Sequence, residues 1–91
     1  MARITVAASG GDLYRVTVEE GKSRTMHDVT VTADDVERYA TGVSAEQLVE
    51  ASFEFLLERE PKESILSRFE LPVIERYFSD YPVRIREKIS G

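Results

Sequence analysis

The sequence predicts an α+β fold, a three-stranded antiparallel β-meander packed against a long central helix with short C-terminal helices. Three observations lead to it. Apolar residues alternate with period two through the first third of the chain, then recur with the 3.6-residue period of a helix beyond Thr32. Two capping boxes, Thr32 to Asp35 and Ser44 to Gln47, mark helix starts. Three prolines, Pro61, Pro72 and Pro82, sit where a first helical turn accepts them and divide what remains into short segments.

Ile4, Val6 and Ala8 alternate with Arg3, Thr5 and Ala7, and Tyr14, Val16 and Val18 alternate with Arg15, Thr17 and Glu19. Both runs read as strands with one apolar face. Ser9, Gly10, Gly11 and Asp12 between them tolerate positive φ and predict a tight hairpin. A second turn around Gly21 leads into Thr25 to Val31, where His27, Val29 and Val31 share a face. An antiparallel meander with one polar face needs a cover for the other. A short helix over Val36, Tyr39 and Ala40, stopped at Gly42, begins that cover.

The helix opening at Ser44 and running to about Arg59 is the main element. At about 100° per residue, Leu48, Val49, Ala51, Phe53, Phe55, Leu56 and Leu57 occupy roughly 240° of its circumference, far more than a surface helix needs. Either the C-terminal third or a second copy of the chain must cover it, so a homodimer is expected. Beyond Pro61, Ile65, Leu66 and Phe69, then Val73, Ile74, Tyr77 and Phe78, then Val83, Ile85 and Ile89 form three apolar clusters, each read as a short helix, with a strand as the alternative for residues 83–89.

Composition narrows the function. The 91 residues hold 17 acids and 12 bases, for a formal net charge of -5, and no cysteine. A chain of this size supports one core, so residues 1–91 are expected to be one domain, with 2–32 as the meander and 33–91 as the helical part. No disulfide or thiolate metal site can form. No apolar run approaches the ~18 residues of a membrane span, and Met1 to Ala8 lacks a signal-peptide core, so a cytoplasmic protein without membrane contact is expected.

Each chemical motif has a simpler structural account. Gly21-Lys22-Ser23 ends like a phosphate-binding loop, but the first glycine of that motif would fall at Val16, inside a strand. His27 and Asp28 are strand neighbours and point to opposite faces. Asp34 and Asp35 serve a helix start better than a divalent cation, which wants six or more oxygens. No catalytic residue, cofactor or metal site is expected. Residues 62–78 have the outline of a helix-turn-helix, and the alternative reading is a nucleic-acid-binding regulator using this hairpin and the basic tail. Residues 1–60 carry six bases against twelve acids and residues 61–91 six against five, a poor field for nucleic acid.

One feature is not explained by folding. Glu46, Glu50, Glu54 and Glu58 stand at strict i, i+4 spacing on the longest helix, where each like-charge pair costs on the order of 0.2–0.5 kcal/mol. The row is either a solvated face or a docking strip for a basic protein partner or for the chain's own Arg84, Arg86 and Lys88.

The stretch ASFEFLLEREPKESILSRFELPVIERYF, from Ala51 to Phe78, resembles small conserved bacterial proteins of unassigned function. That resemblance implies a bacterial housekeeping or regulatory context. The expectation is therefore a small non-catalytic interaction or regulatory protein, antitoxin-like in manner, acting through its acidic helix face or through dimerisation.

Overall fold

The computed structural model describes residues 2–90. Three strands, β1 (Arg3–Ala8), β2 (Leu13–Glu20) and β3 (Ser23–Thr30), form the predicted antiparallel meander. The register puts Val6, Val16 and His27 in one row and Ile4, Val18 and Thr25 in the next, so the predicted apolar faces coincide. Val16, Val18, His27 and Val29 are buried. The turn between β2 and β3 has two residues, Gly21 at φ 58° and Lys22, and a positive φ at the first position alone is the II′ pattern that matches strand twist.

The sheet has a fourth strand that the sequence reading did not contain. β4 (Arg68–Glu70) lies parallel to β3, with Phe69 opposite Val29. Asp28 N donates to Ser67 O at 2.8 Å and Leu71 N to Thr30 O at 3.0 Å. The sheet is thus mixed, in the order β1-β2-β3-β4. The expected helix over Ile65, Leu66 and Phe69 does not exist: a 3₁₀ turn at Lys62–Ser64 is followed by extended chain. Phe69 and Leu71 point inward around an exposed Glu70, which is strand periodicity. Lys62, a buried residue, pairs with Glu63 of its own turn at 2.7 Å and holds that turn to the β2–β3 hairpin through Glu20 at 3.5 Å.

Four helices complete the domain: α1 (Ala33–Ala40), α2 (Ala45–Leu57), α3 (Val73–Tyr77) and α4 (Tyr81–Ser90). Both capping boxes form, with Thr32 Oγ1 accepting from Asp35 N and Ser44 Oγ from Gln47 N at 3.1 Å each. Residues 83–89 are helical. Along α2, Leu48, Val49, Ala51, Ser52, Phe53, Phe55 and Leu56 are all buried, with β1 packed on one side and α4 and α1 on another. Most of the wide apolar arc is therefore covered within one chain.

Two buried polar contacts fix the C-terminal half to α2 and to the sheet. Ser52 Oγ donates to Leu48 O at 2.7 Å and meets Tyr81 Oη at 2.7 Å. Burial raises the Tyr81 phenol well above its ordinary range. His27 Nδ1 lies 2.8 Å from Leu66 O, and Nε2 2.9 Å from Thr25 Oγ1. A carbonyl only accepts, so Nδ1 carries a hydrogen, and in the neutral ring Nε2 accepts from the threonine hydroxyl.

Candidate functional site

The four glutamates of the ridge are all exposed on α2. They occupy the arc left over once the buried residues have claimed the rest, so the fold places them outward by exclusion rather than by any contact they make. Their surroundings differ. Glu58, the helix C-cap, accepts from Lys88 Nζ at 2.8 Å and lies 3.5 Å from Arg59. The Lys88 hydrogen bond holds its carboxyl below the usual range. Among the described residues, Glu46, Glu50 and Glu54 make no ion pair.

The basic tail does not lie along the ridge. Arg84 turns to Asp80 at 3.6 Å and Glu87 at 2.9 Å. Arg86 donates to Arg38 O at 2.9 Å, satisfying a carbonyl near the end of α1. Lys88 alone reaches a ridge carboxylate. No basic residue stands in the last turn of α2, where the helix dipole is negative and Glu54 is of the unfavourable sign.

The other sequence candidates are absorbed by structure. His27 is enclosed between Thr25, Leu66 and the Phe53 ring, whose centroid is 5.2 Å away. Gly21, Lys22 and Ser23 form the hairpin turn and the start of β3. Asp35 closes the capping box, donated to by Thr32 N at 2.9 Å. Among the described residues no group of three or more His, Cys, Asp or Glu can hold a metal ion.

The helical hairpin that the nucleic-acid alternative needed is absent, since its first arm is β4. The outer face of the sheet carries four arginines, but each row centres on an acid: Arg3, Glu19, Arg24 and Arg15, Asp28, Arg68. Arg15 donates to Asp28 at 3.0 Å, and that hydrogen bond lowers the Asp28 carboxyl. The acids break the strip of positive charge a phosphate backbone would follow.

A second surface was not foreseen. An apolar groove of about 480 Å³ runs between the end of α2, the segment before β4 and α3, lined by Leu56, Ile65, Leu66, Phe69, Tyr77 and Phe78, among others. Its sequence signal was the alternation Phe69, Glu70, Leu71 followed by Pro72. Read as a strand, that run leaves Leu66 and Tyr77 outside, and they are 46% and 69% exposed.

Compared with family models, curated proteins and solved structures, the chain matches none. Among the described residues no helix is long and apolar enough to cross a membrane.

Proposed function

We propose that this chain is a small, non-catalytic interaction protein whose outward α2 face, centred on Glu46, Glu50 and Glu54, receives a basic segment of a partner protein. The observation that carries the reading is the missing counter-charge. Three carboxylates stand one turn apart with no ion pair among the described residues, and the tail that carries three bases spends two of them elsewhere. A solvated face has no need of uniform sign, and mixed signs would stabilise the helix. The only histidine is used inside the core and the buried serine is bonded to Tyr81 and Leu48, which supports a binding rather than a chemical role. Control of a partner by occupancy, as an antitoxin controls its toxin, in a bacterial cytoplasm, fits a small acidic chain.

The test is a titration of the full chain with a lysine-rich peptide at low salt, read by amide shifts. Saturable shifts along α2 in the parent, lost in Glu50→Lys with Glu54→Lys while the fold persists, support the proposal. Equal binding by both proteins would leave the ridge an ordinary solvated face.

A further inference from the structure

The groove beside β4 raises a separate question, because it adjoins an unpaired strand edge. β4 is last in the sheet order. The bonds Asp28 N to Ser67 O and Leu71 N to Thr30 O fix the parity of the parallel ladder, so Phe69 turns both its backbone groups to β3. Arg68 and Glu70 then present their N–H and C=O groups to the free side. An edge of this kind is a template for another strand, and a peptide added there would send alternate side chains to the face on which Phe69 lies.

That face is the groove. Its lining comes from the end of α2, from Phe69 and from the segments entering and leaving β4, and its one charged member is Glu60, a half-buried residue that makes no ion pair among the described residues. Leu66 and Tyr77 remain exposed although the core lies beside them. Monomeric domains seldom leave a contiguous apolar patch open without use.

We propose that this groove and the β4 edge together dock an extended segment of a partner protein that alternates apolar with basic side chains. Backbone groups of the segment pair with Arg68 and Glu70, apolar side chains enter between Leu66, Phe69 and Tyr77, and a basic side chain meets Glu60. The unpaired strand edge selects a polypeptide over a small molecule. The carboxylate of Glu60, the one charged member of the lining, selects a basic one over an acidic one.

The site is distinct from the α2 ridge and is tested with the ridge disabled. In a full chain carrying Glu50→Lys and Glu54→Lys, a capped hexapeptide alternating isoleucine with lysine is titrated and followed by amide shifts, beside the same peptide with glutamate for lysine. Saturable shifts confined to residues 60–78, with the glutamate peptide about tenfold weaker, are expected. Glu70→Pro removes a free-edge N–H without touching the β3 ladder and should weaken binding about tenfold. Glu60→Lys should weaken the lysine peptide about threefold and strengthen the glutamate one. Equal binding of the two peptides would overturn the proposal, as would full affinity in a folded Glu70→Pro protein. So would self-association of the chain that Leu66→Asp abolishes, which would make a second copy the occupant. If Glu70→Pro does not fold, Glu60→Lys decides, and unchanged selectivity there sinks the idea.

Discussion

The two sides of α2 follow opposite rules. On the inner side every residue is held by several others. Phe55 is closed off from solvent and meets Phe78 and Tyr81 edge-on at 5.8 and 5.3 Å, with the Arg59 guanidinium 3.6 Å above its ring. On the outer side Glu46, Glu50 and Glu54 meet solvent alone. The inner side determines whether the chain folds, whereas the outer side is free to be selected for something else. Residues whose charge the fold does not use, and whose repetition is mildly unfavourable to it, are where a binding role is to be sought.

The sharpest way to break this contrast is to find that the inner side tolerates truncation. Phe55→Ala should cost about 3–5 kcal/mol in urea unfolding, because it empties a ring-sized volume and strips Arg59 of its stacking surface. Ser52→Ala should cost about 1–3 kcal/mol, since it leaves the buried Tyr81 hydroxyl without its partner. Tyr81→Phe should cost less, because Ser52 keeps Leu48 O. The tyrosine also sets an alkaline limit. Its phenol titrates above its ordinary value in the folded chain, so the stability it contributes is complete below about pH 10 and is lost as pH rises past the unfolded value. Tyr39, raised to about 12 by burial and its 2.8 Å hydrogen bond to Glu75, adds to the same slope. Urea midpoints for the parent should fall across that range, and Tyr81→Phe should flatten the fall.

The N-terminal half was legible because its signals are local. Alternation in Val16 and Val18, the hairpin glycines and the two capping boxes each act over a few residues, and all appear in the structure. β4 was not legible. Its pairing joins Phe69 to Val29 across forty residues of sequence, counted from their numbers, and Ile65, Leu66 and Phe69 have a spacing that a helix satisfies as well. The extended form is chosen by His27, which holds Leu66 O, and by the open edge of β3, neither of which shows in residues 61–72 themselves. The ridge was visible as a repeat, but not the fact that Arg84 and Arg86 turn away from it. The groove depended on β4 and was hidden with it.

Smaller effects sharpen the outer side. Lys88→Met should lower stability by less than about 1 kcal/mol, and added salt should remove most of the difference. The Glu58 carboxyl is depressed in the folded chain, so this contribution is present above about pH 4.3 and fades as pH falls through its folded value. Comparing the parent with Lys88→Met by urea unfolding at low pH and at neutral pH should show the gap closing in acid. A gap that stayed the same size in acid would mean that Lys88 contributes through something other than its pairing with a carboxylate.

The most direct test of the central claim is the stability of Glu50→Gln with Glu54→Gln against the parent, measured by urea unfolding at low and at high salt. If the ridge is uncompensated within the chain, neutralising two members removes all three like-charge pairs and should stabilise the domain by about 0.6–1.5 kcal/mol at low salt, with the gain vanishing at high salt. A double variant less stable than the parent at low salt would show that the chain itself screens these carboxylates, and the case for a basic partner at this face would fail.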